Sequence, residues 1–218
     1  MDAIAAAYWR PVYKYIRLRW KLEPEDAQDM TQEFFARMIE NEFLAKYDAA
    51  KARMRTFLRS CIDHMMMNRA RDAIREKRGS GAAHLSLDFA DAEHELAAAS
   101  VPASMDEFFE REWVRSLLEL AVKRLQERCE AAGKQKQFAM FQACDLAEED
   151  EKPSYAELAR RFGVAVTDVT NYLSFTRREF RRCVLDQLRS MTGSDEEFQR
   201  EARSLLGSDP KWLGLATT

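Results

Sequence analysis

Residues 26–35 read DAQDMTQEFF and bring Asp26, Asp29 and Glu33 together with Gln32. Carboxylates this close can act as general acid and base, can hold a basic partner, or can flank a phosphorylated hydroxyl, here Thr31. A second group lies in RMRTFLRSCIDHMMMNRARDAIREKR, residues 53–78. There His64, Asn68, Arg71 and Arg75 recur at i, i+4, i+7 and i+11 beside Phe57. Cations in such a stripe neutralise phosphates, and a ring beside them stacks on bases. A third group, Thr167, Asp168, Thr170, Asn171 and Ser174, precedes Arg177, Arg178, Arg181 and Arg182. Asparagine can bond adenine through two atoms, aspartate can accept from a cytosine amino group, and arginines suit phosphates. Asp168 has a structural alternative, favouring the start of a helix.

The elements that would carry these groups are helices. Around a helix spanning 24–41, Ala27, Met30, Phe34 and Met38 fall on one side, with Phe35 at its edge. Asp26, Asp29, Gln32, Glu33 and Glu40 fall on the other, and Pro24 with Glu25 favours the start. Thr31 projects beside Phe34 and Phe35, which makes it a half-buried packing residue ahead of a phosphosite. Acid–base catalysis needs a pocket, a metal or a further titratable group, and the pattern shows none. The acidic side therefore reads as a docking face for a basic partner. On the helix at 53–78, Met54, Leu58, Cys61, Ile62 and Met65 form the core side, and Met66 and Met67 project away from it, one or both toward a neighbouring segment. His64 has both a hydrogen-bonded structural reading and a base-contact reading.

The stretch SYAELARRFGVAVTDVTNYLSF has the pattern of a helix-turn-helix. Ser154 and Glu157 have capping-box spacing, Ala159 is small at the crossing, and Gly163 suits the turn. Leu158, Phe162, Val164 and Val169 are apolar where they must pack, and Thr167 is the expected cap of the second helix. Outward residues at the start of that second helix would reach a major groove.

Charge along the 218 residues is segregated, although the formal net charge is only −3. Residues 46–78 hold ten Lys/Arg against four Asp/Glu; residues 23–42 hold seven acids and one arginine. Residues 79–110 hold seven acids and no Lys/Arg. Blocks of opposite sign point to separate partners for separate faces. Cys61, Cys129, Cys144 and Cys183 are widely spaced, which reads as reduced thiols, with neither a disulfide framework nor a metal site. The start, MDAIAAAYWR, is unlike a signal peptide, and no run is apolar enough to span a membrane, so the expected location is cytoplasmic.

The predicted fold class is all-α: two small helical domains joined by a flexible acidic linker. The first, 5–78, holds helices at 5–21 (with a kink or restart at Pro11), 24–41 and 53–78. The linker is 79–106, small, acidic and Gly/Ser/Ala-rich. The second domain, 107–190, holds helices at 107–131, 134–147, 154–162 and 167–189. A tail, 191–218, carries one short helix beginning at Ser194, where Ser194 and Glu197 have capping-box spacing. No cofactor or metal is expected.

DAQDMTQEFF followed by RTFLRSCIDHMMMNRARDAIREKRG resembles region 2 of a bacterial RNA polymerase sigma factor, and the stretch 154–182 resembles region 4. The combination, over most of residues 5–190, is similar to the extracytoplasmic-function group of the sigma-70 family. The resemblance implies a non-enzymatic transcription initiation factor. Asp29, Gln32 and Glu33, with Asp26 beside them, would dock on the clamp helices of the polymerase's largest catalytic subunit. Residues 42–54 (EFLAKYDAAKARM) would capture a flipped base of the promoter −10 element. Phe57, His64, Asn68, Arg71 and Arg75 would melt and read it, and the linker would run near the RNA path. Thr167, Asp168, Thr170, Asn171, Ser174, Arg177, Arg178 and Arg181 would contact the −35 element. An anti-sigma factor or a Ser/Thr kinase is a further implied partner. Three features depart from the family: Thr170, Asn171 and Tyr172 stand where basic residues are common, His64 where Asn is common, and Phe57 where Trp is common. Two rival readings remain: a stand-alone helix-turn-helix regulator, and a sigma-like protein–protein adaptor that has lost promoter reading.

Overall fold

The computed structural model describes residues 2–40, 44–72, 87–98 and 102–207, and among them every regular element is helical. The chain divides into two compact units, Met1–Ser116 and Leu117–Thr218. The division falls later than the predicted linker, inside a helix.

The first unit contains α1 (Asp2–Trp20), α2 (Pro24–Ile39), a 3-10 turn at Leu44–Lys46, α3 (Met54–Asp72), α4 (Phe89–Ala98) and the first part of α5 (Met105–Ala131). Pro11 lies inside α1, which runs on through it instead of restarting. Pro24 opens α2 at a position whose missing N–H has no helical acceptor in any case. The core gathers Val12 and Ile16 of α1, Met30, Phe34 and Met38 of α2, Leu58 and Ile62 of α3, and Phe109 and Trp113 of α5. Tyr8 stacks on the rings of Phe109 and Trp113, with centroids 6.5 and 6.1 Å away.

Among the described residues of this unit two cations are buried, and each has a carboxylate. Lys14 pairs with Glu95 and Glu112, and Arg55 pairs with Glu110 while its guanidinium lies 4.4 Å from the centre of the Trp113 ring. A charge removed from water needs such compensation. On α3, Met66 is buried, as expected if one of the pair meets a neighbouring segment, and Met67 is 47% exposed.

Residues 89–98 correct the reading of 79–106 as a flexible tether, because they form α4 and pack on α1. Phe89, Ala92, Glu93 and Leu96 fall on one side of that helix, with Ala92 fully buried. Residues 105 and 106, also placed in the linker, already belong to α5. Residues 79–86 lie outside the described residues.

The second unit contains the rest of α5, α6 (Gln135–Asp145), a 3-10 turn at Glu149–Glu151, α7 (Tyr155–Phe162), α8 (Val166–Ser190) and α9 (Asp195–Gly207). The turn from α5 to α6 uses Gly133 at φ 68°, which lets the Lys134 N–H donate to the Cys129 carbonyl at 2.7 Å. The predicted tail helix is present as α9. Its Glu197 N–H donates to Ser194 Oγ at 3.1 Å, and the Glu197 carboxylate accepts from the Gly193 N–H at 2.8 Å. All four cysteines are free thiols. Burial pushes each of their pKa values up, that of Cys61 to about 11. Among the described residues no helix is long and apolar enough to cross a membrane.

Candidate nucleic-acid and partner-docking surfaces

The helix pair α7–α8 forms as the sequence pattern requires. The Ser154 hydroxyl accepts from the Glu157 N–H at 3.3 Å, and the Glu157 carboxylate accepts from the Ser154 N–H at 2.7 Å. Those two bonds satisfy donors that a helix start leaves open, and the Ser154 hydroxyl, donating to the Glu157 carboxylate at 2.7 Å, together with the Ser154 N–H holds that carboxyl below its usual range. Gly163 ends α7 at φ 62°, ψ 50°, the left-handed conformation that a side chain disfavours. The next residue, Val164, then donates its N–H to the Ala159 carbonyl at 3.1 Å. Met140, Cys144, Leu158, Ala159, Val169 and Leu173 form the buried seam, with Phe162 and Val164 packed at its edge.

At the start of α8 the cap differs from expectation. Thr167 already lies inside the helix, and Ala165 occupies the capping position. Alanine has no side-chain acceptor, so the Asp168 carboxylate takes the Ala165 N–H at 3.2 Å. Asp168 is thus committed to the helix start, the structural alternative raised by the sequence, and is only partly exposed. Thr167, Thr170, Asn171 and Ser174 are exposed on α8, and Thr170 Oγ1 donates back to the Val166 carbonyl at 3.4 Å.

The arginine run splits. Arg177 points inward and grips Asp145 of α6 through Nε at 3.0 Å and an η nitrogen at 2.8 Å, while another η nitrogen donates to the Tyr155 hydroxyl at 3.4 Å. Burial works against its charge, yet the Asp145 and Tyr155 hydrogen bonds prevail and its pKa is raised. Arg177 is therefore a clasp between α6, α7 and α8 and is removed from the phosphate-contact set. Arg178 is exposed near the Phe175 ring, whose centroid also lies 3.7 Å from Lys134 Nζ. Arg182 pairs with Glu179 at 3.4 Å, and Arg181 is half-buried. Lys134 and Phe175 were not picked out by sequence, although Phe175 shares a helix face with Asn171 and Arg178.

The acidic face of α2 also divides. Asp26 and Asp29 are exposed and make no ion pair with another described residue. Glu33 pairs with Arg37 at 2.6 Å and with Arg69 of α3 at 2.9 Å. Gln32, expected on the solvent side, is 8% exposed, because the buried arc of α2 is wider than a single seam and runs from Met30 through Phe35 to Gln32. Thr31 is wholly buried, not half-buried, and its hydroxyl donates to the Ala27 carbonyl at 2.7 Å. A shallow cavity of about 260 Å³ beside this face is lined by Trp20, Leu22, Asp26, Met30, Met66 and Arg69.

On α3, His64 is exposed and Asn68 is half-exposed. Phe57 is half-buried and meets Tyr47 of the preceding loop at a centroid distance of 5.2 Å. The side chain of Arg71 and the whole of Arg75 lie outside the described residues, as do residues 41–43 of the predicted base-capturing loop.

No known protein family, curated protein or solved structure matches this chain. What the surfaces can do follows from their chemistry. The exposed edge of α8 offers hydroxyl, amide and guanidinium donors in a row, a set suited to base edges and phosphates. The exposed Asp26 and Asp29 offer a small, unneutralised acidic patch suited to a basic partner. Among the described residues no cluster of His, Cys, Asp or Glu could hold a metal ion.

Proposed function

We propose that this chain is a promoter-specificity subunit of a bacterial RNA polymerase, acting in the cytoplasm and leaving the chemistry to the polymerase. The observation that carries the reading is the α7–α8 pair. Its capped first helix, left-handed Gly163 turn and exposed Thr167, Thr170, Asn171 and Ser174 make a helix presented for a major groove. Arg178 and Arg181 follow on the same helix as phosphate contacts. In this reading Asp26 and Asp29 dock on basic residues of the polymerase clamp, and α3 faces the −10 element with Phe57, His64 and Asn68. The resemblance of DAQDMTQEFF and the α3 stretch to sigma region 2 supports the same assignment. A stand-alone helix-turn-helix regulator would share α7–α8, but it has no use for unneutralised acids at Asp26 and Asp29.

The test is reconstitution with core polymerase and run-off transcription on a genomic fragment library. Wild-type chain should form a holoenzyme and give discrete transcripts. Asp26→Arg with Asp29→Arg should abolish holoenzyme formation while the circular dichroism spectrum stays that of wild type. These two positions make a cleaner probe than Glu33, whose replacement would also break the pairs to Arg37 and Arg69. No binding of wild type to the polymerase at moderate salt would reject the proposal.

A further inference from the structure

Helix α4 occupies α1 in the way a nucleic-acid strand would. The α1 face beneath it carries Trp9, Arg10, Tyr13, Lys14 and Arg17, so cations and rings interleave at helical spacing. The ring of Phe89 meets that of Tyr13 tilted at 4.9 Å and that of Trp9 edge-on at 5.7 Å, so it covers two rings that could receive bases. The carboxylates of α4 sit where phosphates would. Arg10 binds Asp91 at 2.6 Å and Glu95 at 2.9 Å; Arg17 binds Glu93 at 2.6 Å; Lys14 binds Glu95. The Tyr13 hydroxyl donates to Glu93 at 2.7 Å. Arg17 and Glu93 shift in opposite directions, each stabilising the other's charge.

The hold on α4 is mainly of the kind that another polyanion can take over. Its ten residues are too few for an isolated stable helix, and among its described side chains Ala92 is the fully buried apolar one. The side chains of the Arg10 and Arg17 ion pairs keep 20–50% of their exposure, so water and a competing anion can reach them. Segments held this way open well below the free energy of global unfolding.

We propose that α4 is a displaceable strap that mimics nucleic acid, and that the α1 face under it is a binding site for single-stranded nucleic acid. With α4 lifted, Arg10, Lys14 and Arg17 take phosphates, while Trp9 and Tyr13 take bases. Lys14 keeps Glu112 as a second partner and Arg17 keeps the Leu22 carbonyl, and both contacts hold the cations in place on α1. The inference needs neither the helix-turn-helix nor the polymerase, and its assay contains neither promoter nor polymerase.

The experiment uses the full chain and a fluorescein-labelled dT20 oligonucleotide followed by anisotropy across a KCl series. The carboxylate-to-amide variant Asp91→Asn, Glu93→Gln, Glu95→Gln should bind at least about tenfold tighter than wild type at low salt. Its log–log salt slope should steepen by about 2, from three cations at about 0.7 each on a single strand. Adding Arg10→Gln and Arg17→Gln should erase the gain. A neutralised chain that binds no tighter, or a gain that survives loss of both arginines, overturns the proposal. Hydrogen exchange on the wild-type chain gives a second reading that needs no variant. Saturating dT20 should speed exchange of the amides of 89–98 several-fold, and unchanged or slower exchange overturns the proposal. Equal acceleration by polyglutamate at matched charge would overturn the nucleic-acid assignment.

Discussion

Replacing Gly163 by alanine separates backbone conformation from packing at the turn between α7 and α8. Gly163 sits at φ 62°, and a Cβ built there would meet nothing within 4 Å. The expected loss therefore contains no clash and no cavity, only the preference of L-residues against the left-handed region, about 1–2 kcal/mol. With a urea dependence of about 2 kcal/mol per molar, the unfolding midpoint should fall by about 0.5–1 M. Asparagine visits that region more readily, so Gly163→Asn should lose less than Gly163→Ala. Two other glycines fix the interpretation. Gly133 has φ 68° and equally open surroundings, so Gly133→Ala should show a similar loss. Gly207 also faces open space but lies in α9 outside the left-handed region, so Gly207→Ala should be neutral or stabilising by up to about 1 kcal/mol. Urea unfolding followed by far-ultraviolet circular dichroism measures all four. Equal effects at the three glycines, or a loss above about 4 kcal/mol at Gly163, would refute the reasoning.

Two further outcomes follow from paired groups. Asp145→Asn removes the carboxylate from a guanidinium whose side chain is 26% exposed, and should destabilise the second unit by about 1–3 kcal/mol, whereas Arg178→Gln should change stability by less than about 0.5 kcal/mol. Urea melts of the two variants decide between them, and equal effects would return Arg177 to the surface. For alkaline pH, burial, then the hydrogen bond and charge of Glu93, raise the Tyr13 pKa; burial, then the charge and hydrogen bond of Asp63, push that of Tyr15 up to about 12. Both phenols hold their protons more tightly folded than unfolded, so stability is intact below about pH 10, the ordinary tyrosine range, and falls as pH climbs toward 12. Absorbance at 295 nm should show Tyr13 and Tyr15 still neutral at pH 11 and ionising when urea is added; full ionisation without urea would contradict their burial.

The helices were legible because their apolar spacing repeats, and the cap at Ser154, the turn at Gly163 and the start of α9 followed from local chemistry that needs no neighbour. Arg177 was misread as part of a basic run, although it lies only about 40° around α8 from Leu173, on the packed side. Arg55 likewise lies on the packed side of α3, about 60° from Leu58 and about 20° from Ile62. Charge draws the eye to solvent, and a buried arginine becomes plausible only once Asp145 or Glu110 is known to face it. Helix α4 was hidden for the same reason. Its small acidic composition reads as a tether, and what makes it a helix with a place is the set of cations on α1, some eighty residues away in the chain. Gln32 shows the remaining limit, since an arc of burial set by several neighbours is wider than one helix's own pattern reveals.

Trp113 supplies the first unit with an optical and magnetic probe of its own. Its indole is 2% exposed, and the Arg55 guanidinium lies over the ring. An indole proton enclosed this deeply exchanges slowly, which sets it apart from those of half-exposed Trp9 and Trp20. One resonance can thus follow the interior of residues 1–116 while ligands, salt or partners are added at its surface.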